Sequence, residues 1–134
     1  MSKGSVEDRL AIRELIERFS AAVIRIDADR FASTFAQDGV WILPSVPDGT
    51  RGRDNIRAVF GEKLAYVEHI HMVGFPDELV FDGDRATGAT YCRELIFTKD
   101  GEQKLLIGCF HDEYVKVDGE WLFQSRDYEV VGLH

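Results

Sequence analysis

The sequence has few of the features that mark metal, redox or nucleotide-binding proteins. It has only two cysteines, Cys92 and Cys109, which form no Cys-x-x-Cys pair. We interpret both as buried thiols in strands rather than as redox or metal-binding groups. Glycine-rich nucleotide loops, the Gly-x-Ser-x-Gly nucleophile motif and zinc-type cysteine spacing are also missing. The sequence therefore predicts a protein that uses no metal, nucleotide or flavin cofactor.

Net positive charge and long apolar runs are also missing. The net charge is −8 and no basic stripe is present, which argues against nucleic acid or an anionic membrane as a partner. No apolar run approaches the roughly 18 residues that span a bilayer. The first ten residues lack the apolar stretch of a signal peptide. We expect a cytoplasmic protein, and the length fits a single domain over 1–134.

The first half of the chain has the apolar spacing of helices. Ser5 and Asp8 form a capping-box pattern before apolar residues that recur at helical spacing up to Ile26. This pattern predicts a long amphipathic helix that ends near Asp27. Further helices are expected over 29–36 and 53–68, with a short strand at 40–43 and a loop at 45–52 between them.

The second half has the pattern of long antiparallel strands. Asp-Gly pairs at 82–83, 100–101 and 118–119 are evenly spaced turn signals between β-branched and aromatic segments. Helices followed by such strands indicate the α+β class. We therefore predict a cone-shaped α+β barrel, in which three N-terminal helices pack on a long, curved antiparallel sheet around an apolar pocket.

Four sequence blocks carry a resemblance to a known family. They are AIRELIERFSAAVIRIDADRFASTFAQDGVW, RGRDNIRAVF, HMVGFPDELVFDGDRATGATY and DEYVKVDGEWLFQSR. Their order and spacing over about residues 6–130 resemble the SnoaL-like family of the nuclear transport factor 2-like superfamily. That superfamily contains dehydratases, dehydrochlorinases and isomerases as well as non-catalytic binding domains, so the resemblance implies the fold more strongly than an activity.

The resemblance also implies a catalytic pair. In dehydratases and dehydrochlorinases of this superfamily, an Asp after the first helix orients a His on the first long strand, and that His is the base of a β-elimination. Asp27 and His71 are similar to these positions. Histidine suits the task because its pKa lies near neutral pH, and a carboxylate on its second nitrogen fixes the tautomer.

Alternatives to this pair remain open. An alignment through the second predicted helix places the Asp position on Ile24, and Asp27 is also suited to capping that helix. His69 would share a strand face with His71 and compete for its role. We expect His111, which a two-residue turn would place opposite Arg126, to lie on the outer face of the sheet. A metal site built from His111, Glu113 and His71 is disfavoured.

Aromatic and apolar side chains are expected to line the pocket. The predicted substrate-binding residues are Phe19, Val23, Trp41, Phe60, Tyr91, Phe110 and Arg126. Arg126 could hold an anionic or carbonyl oxygen, or it could pair with Asp112 or Glu129.

Together these features favour a cofactor-independent lyase, dehydratase or isomerase. The expected partner is a small hydrophobic ligand, which could be aromatic, polyketide-like or steroid-like. The alternative is a non-catalytic small-molecule-binding or assembly domain, such as a dioxygenase small subunit. The resemblance further implies a homodimer or homotrimer that uses an exposed sheet face.

Overall fold

The computed structural model describes residues 2–134, which form three α-helices and one seven-stranded sheet. The helices are α1 (Val6–Arg25), α2 (Ala28–Ser33) and α3 (Arg53–Lys63). The strands are β1 (Phe35–Leu43), β2 (Val46–Arg51), β3 (Val67–Pro76), β4 (Val80–Asp82), β5 (Arg85–Thr98), β6 (Gln103–Val117) and β7 (Glu120–Leu133). Within residues 2–134, no helix is both long enough and apolar enough to cross a membrane.

The helical layer follows the predicted pattern, although α2 ends at Ser33 rather than at 36 because β1 begins at Phe35. The Ser5 side chain accepts a hydrogen bond from the backbone N–H of Asp8 at 3.0 Å, so it caps the start of α1. The helix ends at Ile26, whose φ of 52° is left-handed and turns the chain sharply. One face of α1, including Phe19 and Val23, is buried. Through this buried face, α1 packs against β3 and β7.

The sheet differs from the expected antiparallel barrel in two respects. Its strand order is β2-β1-β7-β6-β5-β3, with β4 paired to β5, and its two edges do not close on each other. The pair β1–β7 is parallel, whereas every other strand pair in residues 2–134 is antiparallel. The connection from β1 to β7 contains α3 and five strands, so it is much longer than the minimum that parallel neighbours require. The fold is thus an open, mixed sheet covered by helices.

The segment expected to be a loop at 45–52 contains strand β2 instead. Trp41 of β1 pairs with Thr50 of β2. Pro47 did not prevent this, because β2 is an edge strand and one side of an edge strand donates no ladder hydrogen bonds. Helix α3 also ends at Lys63, five residues earlier than predicted, since the chain enters β3 at Val67.

The three Asp-Gly signals all lie in connections between neighbouring strands. The glycines Gly83, Gly101 and Gly119 have φ values of 60°, 91° and 80°, which residues with a side chain rarely adopt. Three of the four strands that they connect are long, with 14 residues in β5, 15 in β6 and 14 in β7, whereas β4 has only three.

Two β-bulges change which side chains face the helices. One lies in β3, where Val67 pairs with Thr98 but His69 pairs with Phe97. The other lies in β7, where Phe123 pairs with Tyr114 but Ser125 pairs with Glu113. A single extra residue reverses the alternation of the strand beyond it.

Candidate functional site

A largely apolar cavity of about 340 Å³ lies between the helices and the inner face of the sheet. Its apolar wall includes Phe19, Val23, Phe31, Trp41, Leu43, Phe60, Leu64, Ile70, Met72, Ile96, Leu106 and Phe110. Exposed lining residues, namely Pro44, Ser45, Tyr66 and Val130, mark the mouth. The Phe31 ring stacks on Phe60 at 4.1 Å between centroids and contacts Trp41 at 4.8 Å. These rings give the helical side of the cavity a rigid aromatic surface.

One carboxyl group projects into this apolar wall. Glu94 of β5 is half-buried and lies between Met72 of β3 and Leu106 of β6 in the sheet register. Burial raises its pKa, and a hydrogen bond from Tyr128 opposes that rise only in part. The Tyr128 hydroxyl is 3.1 Å from Glu94 Oε2. A carboxyl group with a raised pKa in an apolar cavity is a suitable proton donor and acceptor near neutral pH.

Gly108 makes room for the contact between Tyr128 and Glu94. Tyr128 projects from β7, and its side chain reaches across β6 to β5. A Cβ at position 108 would lie only 2.5 Å from the Tyr128 hydroxyl oxygen. Glycine is therefore the residue at this β6 position that allows the phenol to lie flat across the sheet.

Two further buried groups are Trp41, which lines the cavity, and Cys92, which does not. The buried indole N–H of Trp41 has no hydrogen-bond partner within residues 2–134. An unpaired buried donor of this kind is unfavourable by about 1–3 kcal/mol. Burial, with a smaller contribution from Glu94, raises the pKa of the Cys92 thiol to about 12. This thiol stays protonated at neutral pH and is a poor nucleophile.

The structure does not bring Asp27 and His71 together at the cavity. The Asp27 carboxylate accepts a hydrogen bond from the backbone N–H of Arg30 at 3.1 Å, so it caps α2. His71 is exposed, while its neighbours Ile70 and Met72 face the cavity. The bulge after Val67 turns both His69 and His71 to the outer face. His71 therefore lies outside the cavity lining, and the catalytic role of Asp27 and His71 stays a prediction that this geometry does not favour.

The other predicted binding residues divide into two groups. Five of them line the cavity: Phe19, Val23, Trp41, Phe60 and Phe110. Tyr91 does not, because its position in β5 places it on the outer face, where its hydroxyl donates to Asp77 at 2.6 Å. Arg126 lies behind the cavity wall, fully buried. A role for the five lining residues in ligand binding stays a prediction.

The placement of Arg126 follows from the bulge in β7. A regular two-residue hairpin would have set Arg126 opposite His111, whereas the bulge sets it opposite Asp112, on the inner face. Its guanidinium donates to both Asp112 oxygens, at 2.7 and 3.0 Å. The pairing of Arg126 with Asp112 rather than with a ligand is one of the two uses expected from the sequence.

A buried polar network surrounds this ion pair. The hydroxyls of Thr90 and Tyr114 donate to Asp112 Oδ2 at 2.6 and 3.0 Å. The Arg126 guanidinium carbon lies 3.8 Å from the Phe110 ring centroid and 4.4 Å from that of Phe19. Both charges are therefore paired and the cation also contacts aromatic faces, which offsets the unfavourable burial. The network holds two cavity-lining rings in place.

The sequence patterns described above pointed to histidine and did not indicate Glu94 or Tyr128. A signal was present: Thr90, Cys92, Glu94 and Ile96 alternate along β5, so the carboxylate shares a strand face with apolar residues. A glutamate on the apolar face of a long strand indicates a polar group in a pocket. The partner Tyr128 could not be found in this way, because the bulge in β7 decides its face.

The raised pKa of Glu94 has a consequence for stability. Consider pH values between the ordinary pKa of a glutamate, about 4, and the raised pKa of Glu94 in the folded protein. In this interval the unfolded chain releases the Glu94 proton more readily than the folded protein does. The free energy of unfolding is therefore expected to fall as pH rises through that interval in the wild type, but less so in Glu94→Gln. Thermal unfolding of both proteins from about pH 4 to pH 8 measures the difference. Parallel curves would contradict a raised pKa.

Comparisons with known proteins agree with this architecture. A hexachlorocyclohexane dehydrochlorinase (LinA type 2) superposes with a TM-score of 0.88 at 19% identity, covering 96% of this chain and 88% of that chain. A scytalone dehydratase-like protein from Novosphingobium aromaticivorans DSM 12444 gives 0.87 at 18% identity, covering 96% and 87%. The LinA-type3 dehydrochlorinase from Novosphingobium barchaimii LL02 gives 0.87 at 18% identity, covering 96% and 90%.

At these identities the superpositions show the shared fold and leave the activity open. No curated protein matches the sequence. The family described as SnoaL-like domain matches residues 4–127. Since that match spans most of the 134 residues, the chain belongs to the SnoaL-like domain family.

Proposed function

We propose that the protein is a cofactor-independent lyase or isomerase that moves a proton on a small hydrophobic carbonyl compound. The observation that carries this proposal is Glu94, a carboxyl group of raised pKa in a largely apolar cavity. The family and the dehydratase and dehydrochlorinase neighbours are consistent with lyase-type chemistry.

The size of the cavity limits the ligand. An apolar cavity of about 150 Å³ accepts one benzene molecule, so about 340 Å³ leaves room for two fused rings. Glu94 in the wall, with its raised pKa, favours a ligand with an acidic C–H bond, such as one next to a carbonyl group. A compact bicyclic ketone meets both conditions.

The proposed reaction begins with proton transfer to Glu94. The carboxylate removes a proton from a carbon next to the carbonyl, and the electron pair of the C–H bond moves to the carbonyl oxygen as an enolate. In an isomerisation, the Glu94 carboxyl returns the proton to another carbon. In an elimination, the electron pair of the enolate instead expels a leaving group from the neighbouring carbon. Tyr128 positions the carboxyl group through its hydrogen bond.

The test uses 2-tetralone, a bicyclic ketone with acidic C–H bonds, in deuterated water. We expect saturation-transfer NMR to show binding and ¹H NMR to show exchange of the protons next to the carbonyl, faster with protein than in buffer alone. His71→Gln should leave the exchange rate unchanged, since His71 lies on the outer face. Binding without exchange would indicate the alternative, a non-catalytic binding domain. Loss of exchange in His71→Gln would restore the histidine hypothesis.

A further inference from the structure

A second group of reactive side chains lies on the outer face of the sheet, away from the cavity. Cys109 and His111 project from β6, and Glu129 projects from β7 directly opposite Cys109. His111 Nε2 lies 2.9 Å from Glu129 Oε1. One ligand atom from each of the three residues lies within 4.8 Å of the other two. The thiol, imidazole and carboxylate therefore converge on one point.

This convergence matches the size of a first-row transition-metal site. Zinc binds Cys sulfur at about 2.3 Å and His nitrogen or carboxylate oxygen at about 2.0–2.2 Å, so tetrahedral ligand atoms lie roughly 3.3–3.8 Å apart. The three ligand atoms here all lie within 4.8 Å of one another, which is close to that range. The three residues come from adjacent strands in the middle of the sheet, so the backbone already holds them in place.

We propose that Cys109, His111 and Glu129 form a binding site for a divalent transition metal of the zinc class. Sulfur, nitrogen and oxygen ligands together suit zinc or cobalt(II) better than calcium or magnesium, which prefer oxygen alone. Three protein ligands leave a tetrahedral metal with one position for water or an incoming ligand.

The charge around the site also favours a cation. Asp127 lies directly opposite His111 in the register, and Glu113 is two residues further along the same face of β6. These carboxylates add negative charge around the three proposed ligands, which favours binding of a cation.

The site is independent of the proposed function. Phe110, which lies between Cys109 and His111, faces the cavity on the opposite side of the sheet. Neither Glu94 nor Tyr128 contributes to the proposed metal site. Metal binding on the outer face therefore does not depend on the function of the cavity.

The test is a titration of the purified full-length protein with cobalt(II), followed by optical absorption. A thiolate ligand produces a sulfur-to-cobalt charge-transfer band in the near ultraviolet, and tetrahedral coordination produces strong visible bands. We expect both, with one equivalent of metal bound, and we expect added zinc to remove them. Cys109→Ser should abolish the charge-transfer band, and His111→Gln or Glu129→Gln should weaken binding by at least about tenfold.

Two control variants test whether the cobalt bands depend on the three proposed ligands. Cys92→Ser removes the other thiol, which lies on the inner face, and His71→Gln removes another exposed histidine of the outer face. Both should bind cobalt as the wild type does, and circular dichroism should show that every variant is folded. The proposal is overturned if the wild type gives no charge-transfer band, or if Cys109→Ser retains it. In that case His111 and Glu129 form only an ordinary surface ion pair.

Discussion

Glu94→Gln is expected to lower the rate of protein-catalysed proton exchange in 2-tetralone by about 100-fold or more. The amide has nearly the shape of the carboxyl group but cannot accept a proton, and general acid–base catalysis by a positioned side chain contributes about 10²–10⁴-fold. The amide oxygen can still accept the hydrogen bond from Tyr128, so the inner face should keep its geometry. Exchange followed by ¹H NMR gives the rate.

The control for this variant is ligand affinity. Because the cavity wall is mainly apolar, Glu94→Gln should bind 2-tetralone about as tightly as the wild type. A loss of rate with unchanged affinity assigns proton transfer to Glu94. An unchanged exchange rate in a folded Glu94→Gln protein would remove Glu94 from the mechanism.

Asp112→Ala is expected to destabilise the fold more than a typical substitution. The change leaves the Arg126 guanidinium buried without its carboxylate, and the hydroxyls of Thr90 and Tyr114 lose their acceptor. Removing one partner of a buried ion pair lowers the free energy of unfolding by about 3–5 kcal/mol. Thermal unfolding should show a decrease in Tm of about 10 °C or more for a domain of this size.

The matched control replaces both charges. The double variant Asp112→Leu, Arg126→Met removes the ion pair but keeps apolar volume, and such replacements are often neutral or stabilising. We expect the double variant to regain much of the stability that Asp112→Ala loses. If Asp112→Ala unfolds at the wild-type temperature, the buried network does not stabilise the domain.

The ion pair between Asp112 and Arg126 is connected to the ligand cavity through two aromatic rings. Arg126 contacts the rings of Phe19 and Phe110, and both rings line the cavity that contains Glu94. The ion pair therefore fixes the shape of the ligand site without touching the ligand. Asp112→Ala should accordingly loosen the site as well as lower stability, whereas Glu94→Gln should affect only the chemistry.

Local sequence patterns were sufficient for most of the architecture. The apolar spacing of α1, its Ser5 cap and the Asp-Gly turns predicted the helices and the long hairpins. These features depend on residues that are close in sequence, where backbone preferences and burial act together. The same reasoning failed for β2, because only its place at the sheet edge makes a strand with Pro47 acceptable.

The sequence by itself determined the α+β class, the helical layer and most of the apolar wall, because burial of apolar side chains at regular spacing is a local and strong signal. Only the tertiary structure decided the faces of His71, Arg126 and Tyr128. One bulge in β3 turns His71 outward, and one in β7 turns Arg126 and Tyr128 inward. A bulge adds a single residue, and its position depends on the twist and pairing of neighbouring strands rather than on local propensity. That is why Tyr128 lies beside Glu94 in the cavity wall, whereas His71 lies outside it.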